Sequence, residues 1–522
     1  MEFSMPMFRR FVPERIRPLI YLAFAFVFQL NSGVYLGSLS GMQGDLSMLQ
    51  EDVMMCGYAG LIGVTMPFPL LFRLKFRFSN KWMLSVCAAG LIICNIAGAT
   101  VRSLPLLWIV CYAAGWFKLW GTFECISNIQ LWMAPGRDFF RFFPLLYILV
   151  LGAIECSGIM AQLCGYFLTW EFVPVIMVGL LVLVLLALQV LTVDFRPGPP
   201  RPMPLFGIDW TGLVLWSLLL MELAFIFTYG EHYNWWDGVP IRFAAAAAVV
   251  TGGFCIGRMR KVRHPYIEVK AWKYSNLVPT FIIFLFVCVA SSSSNVLEGA
   301  LKGSIVPSGL REEVMSHVLN ILGIVCGSLL SLFWFFRLKL SLGRLTIAGM
   351  VLTCVYSFMM FFLVSPDTPY SMLLFPTFIR NFGYSIIFTS LTLYIQVQMP
   401  FQHFFQGLCI IGMARTVLGG AIGGAVYGFL IRLNIAGQSG KLGAALDHVS
   451  TAISGMDAAS AHGLLMQQSL MMTLKNLYGY TFVICCAFLI MMMAFDSPVR
   501  RRYINIPNWA TVRKYLALDL WK

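Results

Sequence analysis

Charge is scarce in this chain. Only 11% of its 522 residues are Asp, Glu, Lys or Arg, against about 25% in a soluble domain. Hydrophobic residues make up 59%, more than a single soluble core hides, so lipid is the expected solvent for most of the chain. Metal-binding patterns are missing as well. The six His are scattered without an H-E-x-x-H stretch, and the 14 Cys fall mostly in apolar runs such as "VICCAF" and "LSVCAAG", with neither paired-Cys metal spacing nor a disulfide framework. No metal or cofactor is expected. The chain has no Gly-x-x-x-x-Gly-Lys-Ser/Thr stretch, so nothing points to direct use of ATP. Its first apolar run is too long for a signal-peptide core and lacks a small-residue cleavage site, so it is expected to stay in place.

Apolar runs of spanning length are abundant. A spanning helix needs about 20 such residues, and the chain offers fourteen segments, at 18–40, 52–72, 82–101, 105–128, 143–167, 173–194, 209–229, 239–257, 276–298, 314–336, 345–364, 370–396, 407–432 and 476–496. The expectation is an all-α polytopic membrane protein in three blocks. A six-helix bundle covers 1–194, and a Pro-rich cytoplasmic linker covers 195–208. A two-helix insertion follows at 209–257, then a basic cytoplasmic linker at 258–275. A second six-helix bundle spans 276–496, and 497–522 form a cytoplasmic tail.

The net charge of +14 does not mark nucleic acid as a partner. "FRRFVPERIR", "RLKFRFSNK", "RMRKVRHP", "RLKLSLGR" and "RRRY" all fall on one side if both termini are cytoplasmic, which is the positive-inside pattern. Lipid is the partner this pattern implies. The loop at 433–475 is then outside, and its helical periodicity predicts one or two amphipathic helices lying on the outer face.

The six-two-six plan, with "GIDWTGLVLW" opening the central hairpin and "GEHYNWWDG" between its helices, resembles the fourteen-span drug:proton antiporters of the major facilitator superfamily. "RTVLGGAIGGAVYGFL" at 415–430 resembles that family's penultimate span, and "FIRNFGYSIIFTSLTL" at 378–393 the span before it. The resemblance implies two six-helix bundles rocking about a central site. It also implies a bacterial inner-membrane location, small-molecule substrate and protons as partners, and docking of a periplasmic adaptor and outer-membrane channel on the outer loop. The departures are specific. The loop between spans two and three keeps Leu74 and Arg77 but has Phe72, Phe76 and Ser79 where the family has Gly, Asp and Gly. Asn31 stands where a first-span Asp is usual, no Gly-Pro-x-x-Gly-Gly occurs in span five, and the arginine usual near Cys111 is absent. The family's proton-coupling residues therefore do not carry over.

Ionisable residues within spans are functional candidates. Glu155 lies about twelve residues, roughly 18 Å, into span five, which makes it the first candidate for proton coupling; Glu124 is the second, and Lys118 is the candidate cation that modulates the carboxylate. Two purely structural readings compete, an ion pair of Glu155 with Lys118 and an interfacial Glu124. Glu222 is read as a structural partner of Arg242 across the hairpin. Arg415 is read as gating or packing by the resemblance, with Gly419, Gly420, Gly423, Gly424 and Gly428 forming a smooth face for packing or sliding. Arg380 is left open between structure and an anionic substrate. The cavity candidates are Asn31, Tyr35, Trp116, Trp120, Arg380 and Tyr384, with Ser292, Ser293 and Asn295 expected to put some polar groups in a wet cavity.

The leading function is proton-driven export of a lipophilic or amphiphilic compound. A facilitator of the same fold without proton coupling, a membrane enzyme acting on lipids and a non-transporting receptor are the alternatives.

Overall fold

In hydrocarbon every backbone polar group must be satisfied within its own segment, which leaves an apolar chain the helix as its default. The computed structural model describes residues 5, 7–35, 37, 39–134, 138–196, 205–272, 274, 277–304, 309–338, 341–366, 368–445 and 457–495. The tail at 497–522 lies outside the described residues.

Fourteen principal helices follow one another among the described residues. The first six are α1 (Arg17–Leu30), α2 (Gln50–Lys75, with a tighter turn at Phe68–Leu70), α3 (Asn80–Thr100), α4 (Leu104–Met133), α5 (Phe139–Phe167) and α6 (Phe172–Leu191). The hairpin is α7 (Trp210–Tyr229) and α8 (Val239–Lys261). The last six are α9 (Leu277–Ser304), α10 (Leu310–Leu338), α11 (Leu342–Leu363), α12 (Tyr370–Gln398), α13 (from Phe401 to Ala445) and α14 (Ala458–Phe495). Among the described residues, twelve helices are long and apolar enough to cross a membrane by length and composition. Of the remaining two, α1 is a shorter apolar helix, and α12 carries Arg380, Asn381 and several Ser and Thr among its apolar residues.

The two six-helix halves repeat one packing scheme. Helix α4 packs on α2 and α3, and α12 packs on α10 and α11; α3 meets α6 as α11 meets α14. The halves meet chiefly where α5 lies against α10 and where α2 approaches α13. Large apolar side chains such as Ile109, Leu183, Phe243 and Ile490 are exposed on the outside, as lipid contact requires.

Two expectations need correction. The first span does not reach residue 40: α1 ends at Leu30, Asn31 is extended, and a separate short helix covers Leu39–Leu46. The described residues of 433–475 do not form helices separate from the spans. Helix α13 runs on to Ala445 and α14 starts at Ala458, so both spans are prolonged into it, and 446–456 lie outside the described residues. The 38 residues of α14 measure about 57 Å at helical rise, well beyond a hydrocarbon core of about 30 Å. Few charges and a sustained helical pattern suit continuation as well as they suit a surface helix.

Candidate functional site

Glu155 of α5 meets the other half of the molecule. Its Oε2 lies 2.7 Å from Nδ1 of His317 and accepts a 3.0 Å hydrogen bond from Nδ2 of Asn320, both on α10. Asn381 of α12 donates to Oδ1 of Asn320 at 2.7 Å, and the neighbouring Arg380 is within electrostatic reach of the carboxylate. Gly158, almost one turn beyond Glu155, makes this approach possible: a Cβ there would stand 2.5 Å from the imidazole. A bond between the halves, made by two titratable side chains, is the result. The pairing of Glu155 with Lys118 is not formed. Lys118 shares the inward face of α4 with buried Cys111, Thr122 and Cys125, whereas Glu155 points to α10. Sequence reasoning tested His only for metal spacing and so missed His317. The signal was present: His and Asn three residues apart, "HVLN", inside an apolar span.

Glu124 is not interfacial; it is only 3% exposed. Lys75, at the end of α2, turns inward and places its Nζ 3.3 Å from the carboxylate, also donating to Ser127 and Asn128 at 2.6 and 2.8 Å. Asn80 at the start of α3 donates to Glu124 at 2.7 Å and accepts from the Tyr21 hydroxyl. This buried pair lies wholly within the first half. Arg380 is likewise matched within the second half: it donates to Glu298 at 2.8 Å, and the Tyr356 hydroxyl donates to the same oxygen at 2.6 Å.

Two inward cations have no carboxylate partner among the described residues. Lys118 is half-buried and makes no ion pair among the described residues. Arg415 lies in a π-helical segment, Met413–Leu418, a local irregularity frequent at functional sites. Its guanidinium covers the Phe388 ring at 4.3 Å. Phe388 stands edge-on to Tyr147 of the first half at 4.4 Å and tilted to Tyr384 at 5.7 Å. Tyr147 donates to Thr392 at 2.7 Å, a second bond between the halves. Trp116 and Trp120, 5.2 Å apart, lie about 160–200° around α4 from Lys118, on the side of exposed Ile109.

The remaining cavity candidates are mostly tied to neighbours. Asn31 is fully buried and accepts from Asn95 at 3.0 Å, while Tyr35 donates to Asn95 at 2.6 Å. The hydroxyls of Ser292 and Ser293 are buried and donate to Cys288 and Ala290 carbonyls of their own helix; only Asn295 is exposed. The expected wet face of Ser292 and Ser293 is therefore replaced by dry packing against α13. The glycines divide by direction. A Cβ on Gly419 or Gly423 would stand 2.4 or 2.5 Å from Cys288 or Ser292 of α9, whereas Gly420 and Gly424 face Tyr58 of the first half at 3.2 and 3.9 Å.

In the hairpin, Glu222 accepts from Thr251 at 3.1 Å and does not pair with Arg242, which is exposed. Helical register explains this: Glu222 lies seven residues from the end of α7 and Arg242 only three from the start of α8, an offset of about 6 Å. The hairpin touches both halves. Tyr229 donates to Asp52 of α2, and Glu231 pairs with Arg432 of α13 at 3.2 Å. In the loop after α8, burial pushes the Tyr266 hydroxyl well above the usual tyrosine range, keeping it a donor to the Met66 carbonyl.

No protein-family model matches the chain, and no curated protein matches it. Solved structures do. A point mutant of the nucleoside transporter NupG superposes with a TM-score of 0.53 at 14% identity over 92% of this chain and 99% of that one. Tetrameric PepTSo2 gives 0.53 at 13% identity over 94% and 98%. A structure concerning substrate recognition in proton dependent oligopeptide transporters gives 0.55 at 11% identity over 96% and 98%. At such identities the likeness is one of fold: this chain shares the all-helical fold of these solved structures, with two six-helix bundles and a two-helix hairpin between them.

Proposed function

We propose that the protein is a membrane transporter, not an enzyme, and that it exports lipophilic or amphiphilic small molecules by proton-coupled alternating access. The observation that carries the reading is the contact of Glu155 with His317 and Asn320, a titratable bond between the two halves. An ionised Glu155 holds the imidazole and lies near the Arg380 charge; protonating it removes the negative charge that joins α5 to α10. The halves then rock apart about the central site, and loss of the proton on the other side restores the bond. Inflow of protons thereby drives the reopening that outward transport needs. Proton-driven drug efflux across a bacterial inner membrane, with both termini cytoplasmic and residues 433–475 outside, fits the basic-loop asymmetry. The prolonged ends of α13 and α14 then offer a surface for a periplasmic adaptor and outer-membrane channel.

The test is transport in proteoliposomes with an imposed pH gradient and a pH-sensitive dye. Glu155→Gln is expected to keep substrate counterflow and lose uphill transport, because Gln preserves shape and cannot titrate. Uphill transport at the normal rate in that variant removes Glu155 from the mechanism. A cysteine placed at Gly463 should be labelled only from the outside; labelling from the cytoplasm alone reverses the topology.

A further inference from the structure

Most interior charges of this protein are matched by a partner: Lys75 by Glu124, Arg380 by Glu298, and Glu155 by His317. Lys118 and Arg415 have no carboxylate among the described residues. Both are deep. Lys118 is fourteen residues from the start of α4 and Arg415 fourteen from the start of α13, each about 21 Å along its helix. They also flank one contact between the halves. Gly115 of α4 packs on Gly60 and Val64 of α2, and the next residue, Thr65, meets Gly412 of α13, where a Cβ would stand 2.7 Å from its methyl carbon. Arg415 follows within a turn. Around Arg415 stand Phe388, Tyr384 and Tyr147, the last contributed by the other half.

An uncompensated cation in a membrane interior is costly and marks a substrate or ion path by default. Arg415 and Lys118 also differ in kind from the charges used as struts, because no carboxylate among the described residues supplies their counter-charge. We propose that this counter-charge is supplied by the ligand: an amphiphilic organic anion binds between the halves, its acid group (carboxylate or phosphate) between Lys118 and Arg415 and its apolar body on Tyr147, Tyr384 and Phe388. The arginine fork suits a planar or tetrahedral oxyanion, and the lysine adds a point charge. Aromatic faces accept the apolar part without dictating its shape. This assigns a substrate class within the transporter reading above and rests on it. Binding is measured without a pH gradient, so failure of the proton mechanism and failure of this site are told apart.

The experiment uses the purified full chain in a neutral maltoside detergent, with thermal unfolding followed in dodecanoate, dodecylamine, dodecanol or a short-chain phosphatidylglycerol. Dodecanoate is expected to raise the unfolding temperature in a saturable way, and the amine and alcohol are not. Lys118→Met and Arg415→Gln should each weaken the apparent dodecanoate affinity roughly tenfold, while Lys118→Arg keeps it. Without ligand, Lys118→Met should unfold at the same or a higher temperature than the unmodified protein, since it deletes an unmatched charge. Ligand-free destabilisation by Lys118→Met makes the lysine a strut and overturns the proposal. So does equal protection by dodecylamine or dodecanol, protection by dodecanoate that survives both variants, or no protection by dodecanoate. Protection by phosphatidylglycerol alone overturns it in favour of a bound lipid.

Discussion

Glu124 and Glu155 are both interior carboxylates held by a basic side chain and an asparagine, yet they belong to different kinds of contact. Glu124, Lys75, Asn80 and Tyr21 all come from the first half, so a rocking motion carries the cluster along intact. Glu155 has its partners on α10, in the second half, so the rocking proposed above would break it. Chemical resemblance between two acids therefore says little about role. What decides is whether the bond lies inside a rigid body or between two. The glycine face of α13 repeats the lesson, with Gly419 and Gly423 packed inside the second half and Gly420 and Gly424 turned to the first.

The largest expected effect tests the rigid-body side. Glu124→Gln strands the Lys75 ammonium in a dry site and should cost about 3–5 kcal/mol of stability, read by denaturant or thermal unfolding in detergent; replacing Lys75 and Glu124 together by Met and Leu should recover most of it. A single variant as stable as the unmodified protein would erase the distinction drawn above. Next, Gly423→Ala forces a methyl into Ser292 and should destabilise by about 1–3 kcal/mol, whereas Gly424→Ala meets only ordinary contact. Equal stability of the two variants would show that the α9–α13 seam has slack.

A smaller effect is expected from His317→Gln, which leaves Glu155 with the Asn320 amide and the Arg380 charge nearby. The imidazole faces Glu155 on α5, and Arg380 on α12 lies within electrostatic reach of the same carboxylate. The variant removes one of the two bonds that join Glu155 to α10, so uphill transport should slow a few-fold while the protein stays folded. Transport at the normal rate would leave the contact to Glu155 and Asn320 alone. The smallest effect belongs to Glu222→Gln. Its carboxylate accepts one bond from Thr251, and stability should move within about 0.5 kcal/mol, with transport near normal. Transport abolished in a folded Glu222→Gln protein would bring the hairpin into the mechanism.

Much of the architecture was legible before any coordinates. Apolar runs of spanning length, the Pro-rich break after the sixth and the aromatic turn of the hairpin dictate fourteen helices in a six-two-six order, because a bilayer admits little else. The misjudged places are those where apolar character and helicity part company. Residues 31–38 remain apolar enough to extend a span, yet the chain leaves the helix at Asn31. Residues 433–445 are polar enough for a loop, yet α13 continues through them.

The sequence by itself determined the solvent of this protein, the number and order of its helices, and which few charges lie among apolar residues. Those depend on local composition and on the free energy of placing a segment in lipid. Only the tertiary structure decided how those charges are partnered. Glu155 met His317 rather than Lys118, Glu124 met Lys75, and Glu222 met Thr251, while Arg380 found Glu298 and Arg415 found no carboxylate among the described residues. Partner choice depends on which faces of distant helices are brought together. That is set by ridge and groove packing over whole bundles, and no spacing along one helix encodes it.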